Sequence, residues 1–280
     1  MKLSISNIAW TPKERGSAYT AMAETGVTGL EIAPGLFFHS AQDPFLPTES
    51  EARAALDEIA DMGLTLVSMQ SLLYGVPGAG LFDGENALAN LKRGMERAIS
   101  LAGRFCIPNL VFGSPGQRNI PEGMPMDQAF DQAAGVFHTL AAAAQNAGTK
   151  IAIESNPAAY GTNFLNTLDE AADFVARVDH PAVVLILDLG AMRMNGDHDT
   201  VLARIPALLP RLNHVHVSEP NLAPAPRDVV ALAPVLMALR EGGFDKAVSI
   251  EMKRPPEGVA GVQASLDRLV TAARDNGCPQ

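Results

Sequence analysis

The stretch KIAIESNPAAYGTNFLNTLDEAADFVARVDHPAVVLILDLG, residues 150–190, holds one complete strand–helix–strand unit. Its two ends, KIAIESN (150–156) and VVLILDLG (183–190), are short β-branched runs that read as strands. Between them, residues 167–178 place apolar side chains at a helical spacing, and Thr167 followed by Glu170 has the spacing of a capping box. Working outward, the same alternation recurs. Strands are expected at 3–10, 29–34, 64–71 and 109–114 before this unit and at 213–219 and 247–253 after it. Helical periodicity is expected over 48–62, 85–102, 128–147, 228–241 and 258–275, with a second capping box at Thr48 and Glu51. Eight such alternations, with no Gly/Ser linker between halves, predict an α/β fold: a single (β/α)8 TIM barrel filling residues 1–280 as one domain. An open doubly wound sheet would carry a Gly-rich fingerprint after its first strand, and the turn SNIAWTPKERG (6–16) has none.

The bulk numbers agree. Hydrophobic residues at 47% and charged residues at 19% suit a large core and exclude disorder. A net charge of −10 disfavours a surface that tracks phosphates, so no nucleic-acid partner is expected. No apolar run approaches the ~20 residues of a bilayer span, so no membrane partner is expected either. The opening MKLSISNIAWTPKE lacks the apolar region of a signal peptide. Cys106 and Cys278 have no metal or redox spacing. A reducing, cytoplasmic setting is the expectation.

Barrel enzymes place their chemistry at the C-terminal ends of the strands. Four late strands end in good metal ligands there: Glu154, Asp188, His216 and Glu251, separated by 34, 28 and 35 residues (188−154, 216−188, 251−216). Side-chain alternation turns all four inward, with Ile151, Ile153, Leu185, Leu187, Val215, Val217, Val248 and Ile250 facing the helices. Three carboxylates converging inside a barrel repel one another, and a divalent cation removes that repulsion. Three oxygen ligands and one imidazole suit Mn2+, Mg2+ or Co2+, with Zn2+ also compatible. His214, one inward layer deeper, is expected to hydrogen-bond rather than to ligate.

The motifs IAIESNP (151–157), LILDLG (185–190), HVHVSEP (214–220) and SIEM (249–252) together resemble the xylose isomerase-like TIM-barrel superfamily, the sugar phosphate isomerase/epimerase group. The resemblance spans essentially the whole chain. It implies one metal that chelates two neighbouring oxygens of a carbohydrate, and Mn2+ is the ion expected first. It also implies an acid/base pair, Glu154 and Glu251, that removes a proton beside a carbonyl and returns one. Homodimers or homotetramers are common in the group. Ketose 3-epimerases carry His, Arg and Glu where this chain has Ala191, Leu222 and Tyr160. Xylose isomerase carries Lys in place of Asn156, and the early-strand histidines of endonuclease IV are replaced by Met69–Gln70 and Gly113–Ser114.

Around the mouth, Trp10, Glu31, Arg118, Asn156, Tyr160, Asn163, Glu219 and Lys253 are the residues expected to touch substrate. Arg118 in GSPGQR (113–118) offers a place for a phosphate or carboxylate, and Trp10 a face for a sugar ring. The reading is a metal-dependent isomerase or epimerase of a sugar, sugar phosphate or related polyol. Two rivals stand beside it: a metal-dependent dehydratase of the inosose type, and a non-catalytic barrel that binds sugar.

Overall fold

Each strand is a short run whose apolar side chains are buried on both faces, as a parallel sheet wrapped in helices requires. The clearest is Val183–Asp188, in which all six residues are buried. In the computed structural model, which describes residues 1–274, eight parallel strands close into a barrel in chain order. They are β1 (Lys2–Ser6), β2 (Gly29–Ile32), β3 (Thr65–Met69), β4 (Asn109–Phe112), β5 (Lys150–Ile153), β6 (Val183–Asp188), β7 (Leu212–Ser218) and β8 (Ala247–Glu251). The helices are α1 (Arg15–Thr25), α2 (Pro34–Phe37), α3 (Glu49–Ala60), α4 (Glu85–Arg104) and α5 (Met126–Asn146). They continue with α6 (Leu168–Val178), α7 (Leu189–Asn195), α8 (Val201–Leu208), α9 (Val229–Glu241) and α10 (Val259–Arg274). Cys278 and the last residue of the expected helix 258–275 lie outside the described residues.

Both expected capping boxes form. The hydroxyls of Thr48 and Thr167 accept from the amides of Glu51 and Glu170, whose carboxylates reach back to the caps. All eight strands stop before the ends expected from the sequence, and at β1 and β6 a side chain turns the chain away. The hydroxyl of Ser6 accepts from the Ile8 amide and turns the chain out of β1, so Trp10 stands in the following loop. Asp188 ends β6 by capping α7, which takes Leu189 and Gly190 into a helix. Helix α1, RGSAYTAMAET, has no apolar stripe and gives no periodic signal in the sequence.

The described residues group into two compact units, 1–67 with the chain from 188 onward, and 68–187. In the first, β1 pairs with both β2 and β8, and β7 pairs with β8 so that His216 lies beside Ser249 and Ser218 beside Glu251. In the second, β5 pairs with β4 and β6, and Val111, Ala152, Val184 and Ile186 form an inner apolar cluster. That cluster fixes the inward parity of β5 and β6: Ala152 and Ile186 point in, and Glu154 and Asp188 are each one inward step further on. Among the described residues no helix is long and apolar enough to cross a membrane.

Candidate metal centre

Strand β7 supplies two inward imidazoles, His214 and His216, both fully buried. Glu31 on β2 is also fully buried, and its carboxylate stands 2.7 Å from Nε2 of His214 and 3.1 Å from Nε2 of His216. Burial alone would push the Glu31 carboxyl up, but the two histidines outweigh it and hold it well below the usual carboxylate range. An ionised Glu31 only accepts, so Nε2 of His216 carries a proton toward it, and Nδ1 is the ring nitrogen turned the other way.

That Nδ1 faces two more carboxylates, 3.2 Å from Oε2 of Glu251 and 3.8 Å from Oδ2 of Asp188. Asp188 and Glu251 are buried as well, each 8% exposed. Two carboxylates and a ring nitrogen that face one another need positive charge among them, a proton on Nδ1 or a divalent cation. A divalent cation converts the same arrangement into a ligand set, so these residues fit a metal by the chemistry of their donors. Asp188, His216 and Glu251 are thus brought together, with Glu31 orienting His216 from behind.

Glu154 follows β5, and its amide continues the ladder by donating to Phe112 O at 3.1 Å. Its Oε2 accepts from Nδ2 of Asn156 at 3.0 Å. A side chain at Gly113, just past β4, would meet that same oxygen, so the carboxylate could keep this position only beside a residue with no Cβ.

Arg118 has a different task from the one its position suggests. It is fully buried, and its guanidinium donates to Glu154 O at 2.9 Å and Leu165 O at 3.3 Å. Desolvation lowers its pKa to about 10. A phosphate outside would find no exposed guanidinium, whereas the turn that carries Glu154 is pinned by two hydrogen bonds. Arg118→Lys, which keeps the charge but loses the fork, is expected to cost about 1–3 kcal/mol in urea unfolding. An unchanged midpoint would show that the fork is not needed.

Glu31, expected at the mouth, is likewise fully buried beneath it. Trp10 is 4% exposed and meets Tyr19 edge-on at 6.2 Å, leaving little of its face for a ring to stack on. Asn156 is buried beside Glu154. Asn163 is exposed, and its amide spans loops by accepting from Ile120 N and donating to Ile120 O. Glu219 is buried, takes the Arg227 amide at 2.9 Å and lies 3.7 Å from Nε of Arg193. Tyr160 is half-buried in a short turn and Lys253 is exposed. Two residues that the sequence reading passed over join the site: Ser218, through Asp188, and Arg193, through Glu219. The serine was legible by parity, because it is the next inward residue after His216.

A closed (β/α)8 barrel with carboxylates and an imidazole gathered at its strand ends defines the class. Residues 19–272 match the xylose isomerase-like TIM barrel family, and the chain belongs to it. Among solved structures it is similar to 3-keto-D-glucoside 4-epimerase from E. coli, at TM-score 0.76 and 20% identity over 97% of this chain and 98% of that one. It is also similar to D-psicose 3-epimerase from Clostridium cellulolyticum H10 (TM-score 0.73, 18% identity, 98% of this chain and 97% of that one). A third is an AP endonuclease, family 2, from Brucella melitensis (TM-score 0.71, 18% identity, 95% and 96%). No curated protein matches the chain significantly.

Proposed function

We propose that the protein is a divalent-metal-dependent isomerase or epimerase of a sugar, a sugar phosphate or a related polyol. The observation that carries this reading is the placement of the His216 ring, whose Nε2 faces Glu31 while its Nδ1 faces Asp188 and Glu251. Asp188, His216 and Glu251 would hold the ion, and Glu154 is proposed as a fourth ligand. This donor set suits Mn2+ best, with Mg2+, Co2+ and Zn2+ compatible. Sugar epimerases among the structural neighbours support the substrate class.

When bound, such an ion supplies the positive charge that polarises a carbonyl and acidifies the adjacent C–H. The chain's own residues do the rest. Glu251 and Glu154 are the acid/base pair: one carboxylate takes the proton from carbon, and the other returns a proton to the opposite side. Both are sparsely exposed, which limits exchange of that proton with bulk water. Asn156 holds one oxygen of Glu154, and Arg118 fixes its backbone, so the base does not wander.

Elemental analysis of undialysed protein tests the metal, and mass spectrometry of the product tests the reaction. The expected result is about one equivalent of divalent metal, lost in Asp188→Ala, and a product of unchanged mass. A product lighter by one water would make the enzyme a dehydratase. Tight sugar binding without turnover would make it a binding barrel, and absence of metal even after reloading would overturn the reading.

A further inference from the structure

Asp188 has two jobs, and its two oxygens divide them. Oδ1 accepts from the amide of Ala191 at 2.7 Å, which makes Asp188 the N-cap of α7. The same oxygen accepts a second hydrogen bond, at 2.5 Å, from the hydroxyl of Ser218, the last residue of β7. That hydroxyl has its own anchor, because it accepts from the amide of Gly190 at 2.8 Å. Oδ1 is therefore filled by two donors, and Oδ2 is the oxygen that faces Nδ1 of His216.

The fit around the serine is tight. A Cβ at Gly190 would stand 2.6 Å from Oγ of Ser218 and 3.1 Å from the backbone of Glu219, distances that force a shift. Glycine at 190 is thus what lets the first turn of α7 approach β7 closely enough for the Gly190–Ser218–Asp188 chain to form. Ser218 is buried, so water does not compete for its single proton. As a neutral donor it orients the carboxylate without cancelling its charge, as partners behind a metal ligand do.

We propose that Ser218 is a positioning residue that commits Asp188 to offering one oxygen, Oδ2, to the metal. The inference rests on the metal reading above. It concerns the chain of hydrogen bonds through Gly190, Ser218 and Asp188, which no step of the proposed reaction requires. Without the hydroxyl, the carboxylate keeps only its capping bond and is free to turn, and the Gly190 amide loses its acceptor.

The test is calorimetric titration of metal-free protein with Mn2+, for wild type, Ser218→Ala, Ser218→Thr and Gly190→Ala. Ser218→Ala and Gly190→Ala are expected to bind Mn2+ about 10–100-fold more weakly, and Ser218→Thr, which keeps the hydroxyl, to recover most of that loss. Urea unfolding of the same metal-free samples separates the roles, since a purely structural serine would lower stability and leave Mn2+ affinity alone. Affinity in Ser218→Ala equal to wild type overturns the proposal, as does an equal loss in Ser218→Ala and Ser218→Thr. Failure of the wild type itself to bind Mn2+ strikes the metal reading instead.

Discussion

Glu251→Gln is expected to lower turnover by ~10²–10⁴-fold while the protein still binds a divalent metal. The amide keeps the shape of the side chain and one oxygen for ligation, but it can no longer take a proton from carbon. The two functions separate cleanly in one experiment. Incubated in deuterated water, wild type should place deuterium at the reacting carbon of recovered substrate and product, and the variant should not. Metal content measured on the same samples shows whether the site survived. Retained turnover with normal deuterium uptake would remove Glu251 from proton transfer and leave it as a ligand alone.

The second large effect is expected at Glu31, which touches no substrate. Glu31→Gln removes the carboxylate charge set between two buried imidazoles, and its single oxygen cannot serve both as the two carboxylate oxygens do. Breaking a buried pair in this way costs about 3–5 kcal/mol, read from urea unfolding of metal-free protein. The pH dependence carries a sign. Because the two histidines hold the folded carboxyl well below its unfolded value, Glu31 contributes stability that is fully present above the unfolded pKa, about 4.3. That contribution is lost as pH falls below this value toward the folded pKa. Wild type should therefore lose stability in acid more steeply than Glu31→Gln. Parallel acid profiles would mean that Glu31 is not the anion that the two imidazoles need.

The contrast between Glu31 and Glu251 shows what a sequence does and does not carry. Strand parity is legible: Asp188, His216 and Glu251, each assigned by alternation to the inner face of its strand, lie within a few ångströms of one another. Depth is not legible. Glu31 has the right parity on β2 but sits in the layer beneath the mouth, and alternation alone assigns a face without assigning a layer. Arg118 fails for another reason. A long flexible side chain in a loop can turn outward to solvent or inward to carbonyls, and only the folded loops reveal that Glu154 O and Leu165 O are waiting. The capping boxes at Thr48 and Thr167 lie at the other extreme, because their partners are three residues away and local geometry decides them.

Trp10 has a use unconnected with sugars. It is the sole tryptophan of the chain, sealed just past β1 with Tyr19 set edge-on to it. The chain thus carries a single built-in fluorophore, close enough to a tyrosine for excitation to pass between them. Its emission reports one place, the exit of the first strand, where the barrel closes on itself through β8. Light from that one indole can tell whether the ring of strands has opened, without any label.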